Sequence, residues 1–377
     1  VRVLVVSGIW PPDVGGPASH APQVAGFLHA RGHDVEVVVT ADARPVPRPY
    51  PVGFTPRRLP VGVRHLHAAW LIAQRARRAD VVYTTGMFGR TGVAAALVRR
   101  PYVVKLTGDP AFERLRARGT VAEGDVAASQ RSGGLTGAGL RRLRDAILRR
   151  AAHVLTPSAW LRDLVVSWGV APERVSVLPN PAPALEPSAP RDELRRSLGL
   201  DGHTLVFAGR LTAQKDLGVL LAAVARVGDV ALVIAGEGPE QGAVARRVDE
   251  LGLGDRVRML GPQPRERVVD LFAAADAVVL SSRWENFPHA LVEALDAGTP
   301  VLSTAVGGVE EVVTAGVNGL LVPPGDVDAL AGAIRRFLSE PELENRLRAA
   351  AAASVERYRS ETILGELEAV LLTAAAR

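Results

Sequence analysis

The 377 residues include no cysteine, only two lysines among 45 basic residues, 5% aromatic residues and no long apolar run. Without cysteine there is no disulfide framework, thiolate metal site or cysteine nucleophile, and the composition fits a reducing, cytoplasmic setting. No stretch approaches the roughly 18 apolar residues that cross a bilayer as a helix. The numbered chain opens in a short strand-like run, Val3–Val6, so a membrane-spanning protein is not expected. Few aromatics and no recognised module argue against a nucleic-acid-binding protein, although the first half is basic. No G-x-G-x-x-G follows the first strand, so the fingerprint that a nicotinamide-dependent enzyme needs is missing.

The net charge of +5 hides two unlike halves. Val1–Leu185 carries 25 Arg plus Lys against 12 Asp plus Glu, and the remainder carries 20 against 28, so +13 is set beside −8. Because the chain writes its surface charge as arginine, its two lysines, Lys105 and Lys215, invite a specific explanation.

Short Val/Leu/Ile-rich runs alternate with longer helical patterns, the signature of parallel sheets covered by helices. Strands are expected at Arg2–Val6, Asp34–Thr40, Asp80–Thr84, Tyr102–Leu106, His153–Thr156 and Val175–Leu178. A second set is expected at Thr204–Ala208, Val230–Ala235, Val257–Leu260, Ala277–Ser281, Pro300–Ser303 and Leu320–Val322. Between the sets, Pro179–Pro190 has prolines at 179, 181, 183, 187 and 190 and reads as an extended, semi-rigid linker. The expected fold class is α/β, with two Rossmann-like doubly wound domains, residues 1–184 and 185–360, facing a cleft. Such sheets bind ligands beyond the carboxyl ends of their strands. Residues 361–377 are helical in pattern and are expected to pack back on the first domain.

Three stretches look suited to a diphosphate. Gly15 and Gly16 precede a helix, where backbone N–H groups and the helix N-terminus favour an anion; a plain flexible turn is the alternative. Gly209–Asp216, G-R-L-T-A-Q-K-D, leaves a strand, so Arg210 and Lys215 offer a planar fork and a point charge to pyrophosphate oxygens, and Asp216 is expected to cap the next helix. In Ser281–Leu295, Asn286 or its neighbour is expected to cap a helix with Pro288 in its first turn and Gly298 at its end. Glu285 then lies in the loop and Glu293 about 12 Å along the helix, too far apart to share a proton but suited to hydroxyls at two ends of a ligand. Gly236-Glu237-Gly238-Pro239 is a further tight turn expected to bring backbone near a nucleotide, and His289 is expected to offer its backbone N–H rather than its ring.

In this order these elements resemble the retaining glycosyltransferases of family 4 (group 1), which include bacterial mannosyl- and glucosyltransferases. The resemblance rests on G-R-L-T-A-Q-K (209–215), G-E-G-P (236–239), the E-x7-E spacing of Glu285 and Glu293, A-G-T-P-V (297–301), G-G-V-E-E (307–311) and N-G-L-L-V (318–322). It implies the GT-B fold, a nucleotide-diphosphate-sugar donor held mainly by the second domain, no cofactor and no metal. By position, Gly16 would approach the diphosphate or sugar. Arg210 and Lys215 would neutralise the diphosphate. Glu285 would contact the donor sugar, with Asn286, Phe287, Pro288 and His289 nearby, Glu293 would hold the ribose, and backbone around Gly261–Pro264, with Gln263, would read the base.

The catalytic partner in the first domain is expected in Lys105-Leu106-Thr107-Gly108-Asp109-Pro110. There Asp109 is a base, an orienting group or the cap of a helix starting at Pro110. The hydroxyl acceptor, whose identity stays open, is expected at the loops Tyr50–Pro60, Gly86–Thr91 and Ala111–Gly139, the last read as a mobile lid. A nucleotide-sugar epimerase of the same architecture is the alternative activity. Gly139–Arg150 sets Leu140, Leu143 and Ile147 on one helical face among arginines, which reads either as a peripheral contact with an anionic membrane or as an ordinary core-facing helix.

Overall fold

The computed structural model describes residues 1–13, 16–117, 130, 134–182 and 185–377. The first part of the chain runs β1 (Arg2–Ser7), α1 (Gly16–Ala30), β2 (Asp34–Ala41), β3 (Val52–Pro56), α2 (Val61–Ala76), β4 (Val81–Thr85), α3 (Phe88–Leu97), β5 (Tyr102–Lys105) and α4 (Pro110–Ala117). It continues with α5 (Gly134–Arg150), β6 (His153–Thr156), α6 (Ala159–Ser167) and β7 (Val175–Val177). The strands form one parallel sheet in the order β3-β2-β1-β4-β5-β6-β7. Its central strands are buried on both faces, which is why they read as unbroken apolar runs.

Tyr50–Pro60, expected as a loop, contains the strand β3. Val52–Pro56 lies at the sheet edge, only partly buried and ending in proline, so it carries none of the both-faces-buried pattern of the inner strands. Ala111–Gly139, expected as one long insertion, begins within α4 and ends within α5; most of the remainder lies outside the described residues.

After the proline segment come α7 (Arg191–Leu198), β8 (His203–Ala208), α8 (Leu217–Ala225), β9 (Val230–Ala235), α9 (Gln241–Glu250), β10 (Val257–Gly261), α10 (Arg265–Ala274) and β11 (Ala277–Leu280). Then follow α11 (His289–Asp296), β12 (Val301–Thr304), α12 (Val309–Val312), β13 (Gly319–Val322), α13 (Val327–Ser339), α14 (Pro341–Ser354) and α15 (Ser360–Ala375). The second sheet is parallel in the order β10-β9-β8-β11-β12-β13. Strand order reverses direction between β8 and β11, whose pairing sets Ala277 beside Leu205 and Val278 beside Val206. In doubly wound sheets that reversal opens a crevice beyond the strand ends, where ligands bind.

Two compact units result, divided between Pro179 and Asn180, with Glu361–Arg377 belonging to the first. In that unit, Ile363, Leu364, Leu367 and Leu371 of α15 join the apolar cluster with α1, β1 and β2. Glu368 takes a hydrogen bond from His33 Nε2 at 2.7 Å and an ion pair from Arg31. The proline segment is no free linker. Ala182 N–H donates to Tyr358 O, Ser360 Oγ donates to Ala182 O, and Ser188 donates twice to Asp270, which lays its described residues along the second unit.

Candidate functional site

In the second unit, the loops that follow β8 and β11 flank the switch point and are sewn together. Arg283 N–H donates to Gln214 O at 2.8 Å, Gln214 Nε2 donates to Trp284 O at 2.8 Å, and Ser281 Oγ donates to the carbonyls of Lys215 and Asp216. Asp216 does not cap α8 through its side chain as expected. Its backbone is left-handed (φ 46°), and its carboxylate accepts from Arg283 Nε at 2.7 Å instead.

This stitching brings Lys215 and Glu285, 70 positions apart, into direct contact: Nζ meets Oε1 at 2.5 Å. Ser282 Oγ donates to the same Oε1 at 2.6 Å, and Glu285 as a whole is 6% exposed. The Glu285 carbonyl accepts from Gly308 N–H at 3.0 Å, and a Cβ on Gly307 (φ 51°) would come within 2.1 Å of it, so only glycine fits beneath the glutamate. The pair is thus fixed from three sides. One Lys215 proton is spent on Glu285, leaving two for another acceptor. Arg210, exposed at the end of β8, makes no ion pair among the described residues.

In the Gly236–Pro239 turn, the Gly236 N–H is taken up within the unit. It donates to Gly261 O at 2.8 Å, and a Cβ on Gly236 would stand 1.9 Å from Gly209 O. Its glycine lets the loops after β8 and β9 cross.

A second group of residues gathers Glu293, Gln263 and an arginine that the sequence reading missed. Glu293 Oε1 accepts from Arg265 Nη2 at 2.6 Å; burial raises the glutamate's pKa and the guanidinium opposes that rise. Gln263 Nε2 turns back onto the carbonyls of Leu260 and Pro262, in the loop that leads to Arg265. A signal for Arg265 was present: it is the first residue of α10, where a cation is disfavoured by the helix dipole.

The start of α11 corrects several expectations. Phe287 is buried, with its ring edge-on to Tyr358 at 5.6 Å, and anchors the core rather than a ligand. Pro288 occupies the cap position without a side-chain cap bond, so Asn286 does not cap the helix, while Gly298 (φ 78°) follows its end as expected. His289 N–H donates to Phe287 O, and its exposed ring lies 3.1 Å from Asn180 Nδ2. The backbone group expected to serve a ligand is therefore engaged, and the ring is the outward-facing part.

In the first unit Gly15 lies outside the described residues and Gly16 opens α1. Asp109 is committed on both oxygens. Oδ1 accepts from Ala111 N–H at 2.9 Å, which caps α4, and Oδ2 accepts from Gln130 Nε2 at 2.7 Å and pairs with Arg144 Nη1 at 2.8 Å. The Asp109 and Arg144 side chains are 1% and 3% exposed, and the guanidinium stacks 3.5 Å over Trp168. Of the readings open for Asp109, this geometry carries the cap, with both oxygens engaged. It also corrects α5: the buried face holds Gly137, Arg144, Ile147 and Leu148, while Leu143 faces solvent, because Asp109 neutralises an arginine in an inward position. Lys105, expected beside Asp109, donates instead to the carbonyls of Leu178 and Pro179, and burial lowers its pKa to about 7. Among the described residues no group of three or more His, Asp or Glu side chains is placed to hold a metal.

Residues 190–354 match the family described as glycosyl transferases group 1, and residues 15–181 match the glycosyl transferase 4-like domain. A D-inositol 3-phosphate glycosyltransferase of Acidothermus cellulolyticus is 30% identical over 92% of this chain and 83% of its own length. One from Catenulispora acidiphila is 37% identical over 55% of this chain and 53% of its own length, and in several such matches the chain spans about half the length of the curated relative or less. Among solved structures, Anabaena HepE with UDP aligns at a TM-score of 0.80 with 22% identity, covering 99% of this chain and 100% of that one. Sucrose-phosphate synthase from Thermosynechococcus elongatus aligns at 0.78 with 21% identity, covering 100% and 99%. These likenesses support the GT-B fold, and with both halves matched the chain belongs to the group 1 (family 4) glycosyltransferases.

Proposed function

We propose that the chain transfers a hexose from a UDP- or GDP-linked donor to an acceptor hydroxyl, with retention of anomeric configuration and without a metal ion. The observation that carries this reading is the Lys215–Glu285 pair at the switch point of the second sheet, in the loop that the exposed Arg210 opens at the end of β8. Arg210 and the two remaining Lys215 protons meet the diphosphate. As the bond from sugar C1 to the phosphate oxygen breaks, charge grows on that oxygen, and a full charge at about 4 Å with an effective dielectric near 20 is worth about 4 kcal/mol. Glu285 Oε2, which takes neither the Lys215 nor the Ser282 bond, accepts from a sugar hydroxyl. Glu293 exchanges Arg265 for the ribose.

The acceptor oxygen bonds C1 on the face the phosphate leaves, and its proton passes to the departing phosphate oxygen. No protein base is required, in keeping with the committed state of Asp109. HepE has been solved with UDP and with UDP-glucose, which supports a nucleotide-sugar donor. The curated relatives are named for D-inositol 3-phosphate, so a small polyol phosphate is the first acceptor to try, ahead of glycans and lipid-linked acceptors.

The test is nucleotide release from a panel of UDP- and GDP-hexoses, with acceptors and with EDTA, the product anomer being read by NMR. Release that survives EDTA and a retained anomer are expected; failure to bind or turn over any donor would sink the reading.

A further inference from the structure

Glu293 is a carboxylate that needs a counter-ion. Its side chain on α11 is 11% exposed; burial pushes its pKa up, and Asp296, one turn along the same helix, pushes the same way. Against both stands Arg265 of α10, whose Nη2 lies 2.6 Å from Oε1. The other elements packed on α11 add no charge to this balance. α14 turns Arg348 to Glu344 and to the carbonyls of Ala275, Asp276 and Gly298, and β11 and β12 contain no charged residue.

Arg265 is also built to leave. It is the first residue of α10, where the helix dipole disfavours a cation, and its side chain is 44% exposed. Among the described residues it has no other bond to break, so the guanidinium can turn into water on its flexible stem. Glu293 Oε2 takes no bond among the described residues. A ribose diol brings two hydroxyl donors, and an ionised carboxylate accepts from both; a protonated one gives up an accepting position to its own proton.

We infer that Arg265 is a positioning residue for the nucleotide: it holds Glu293 ionised and in place until a nucleotide arrives, then yields Oε1 to a ribose hydroxyl. This role rests on the reading of Glu293 as the group that takes the ribose. Its mark is an opposite effect at the two ends of the pH scale. Without the guanidinium, the carboxyl at low pH holds a proton that the nucleotide must expel. At high pH it is ionised in any case, and no guanidinium has to be displaced. An arginine that only braces the fold, or one that touches the nucleotide itself, would instead lower affinity by the same factor at every pH.

The experiment is calorimetric titration of the full chain with UDP and with GDP between about pH 5 and about pH 8.5, where carboxyl groups raised by burial titrate. Arg265→Gln should move the acidic fall in affinity upward by about one pH unit, the low end of the usual range because the guanidinium is half in water. Below that point it should lose about ten-fold per pH unit, and at the alkaline end it should bind at least as tightly as the unaltered chain. Arg265→Lys should keep the unaltered profile. In a Glu293→Gln background, Arg265→Gln should move nothing, since the titrating group is gone. The titration of the nucleotide's own phosphate is common to every variant and cancels. An acidic fall at the same pH in Arg265→Gln, a loss uniform over pH, or a shift that persists beside Glu293→Gln overturns the role and leaves the transferase reading standing. Failure of the unaltered chain to bind either nucleotide at any pH sinks that reading and this role together.

Discussion

The two lysines are used in opposite ways. Lys105 ends β5 and is sealed inside the first unit, where its ammonium faces backbone carbonyls and burial pulls its pKa to about 7. Lys215 lies past the end of β8, half-open, with a carboxylate on one side and two protons unspent. The nearby carboxylates divide likewise: Asp109 is engaged on both oxygens by Arg144, Gln130 and a helix N-terminus, while Glu285 is bonded on one oxygen only. A charged residue near a strand's carboxyl end is therefore no sufficient sign of a site. What separates the two regions is whether the fold has already spent the group's hydrogen-bonding capacity.

The sharpest way to break this comparison is to remove Asp109. If its work is structural, Asp109→Ala should cost about 1.5–3 kcal/mol of stability, because it removes the cap of α4 and one of the two carboxylates that hold the buried Arg144, Asp145 being the other, while turnover per folded molecule changes little. Urea unfolding alongside active-site-normalised rates would show this, and a large loss of turnover with stability intact would return Asp109 to the chemistry. In the second unit the expectation is reversed. Lys215→Ala or Glu285→Gln should lower turnover by on the order of 10²–10³-fold, with a smaller change in melting temperature than Asp109→Ala produces; initial rates at saturating donor are the measurement.

Arg210→Ala should have a milder effect, since the residue is exposed and unpaired in the described structure. A lost charge-assisted contact to phosphate of about 1.5–3 kcal/mol corresponds to a roughly 10–100-fold weaker nucleotide affinity, measurable by calorimetry.

The smallest effect belongs to Lys105 and is a slope. Its folded pKa lies below its unfolded value of about 10.4, so above about pH 7 the unfolded chain holds a proton that the folded chain has released, and stability rises with pH. Relative to Lys105→Met, the unaltered chain should gain about 1.5 kcal/mol between about pH 7 and about 8.5. Parallel unfolding curves at every pH would show that the ammonium is not desolvated.

Much of the framework was legible because it depends on local pattern. Inner strands such as Val230–Ala235 are buried on both faces and must be apolar throughout, so the sequence marks their position to within a residue. The edge strand Val52–Pro56 escaped because an edge needs no such run. Arg210, Lys215, Glu285 and Glu293 could be named as candidates from residue type, turn position and the resemblance. Arg144 was hidden in a run of arginines until the fold turned one of them inward against Asp109.

The sequence accordingly specifies the alternation of strands and helices, the glycines that permit close crossings, and the residue types available near the ends of β8 and β11. It does not specify which charges meet. Lys215 and Glu285 are 70 positions apart, and Arg265 and Glu293 are 28 apart. The first pairing depends on strand order, because the sheet places β11 beside β8, and the second on the packing of α10 beside α11. Burial then determines what each contact is worth, since the same ionic group is neutralised, shifted or left available according to the water and partners around it.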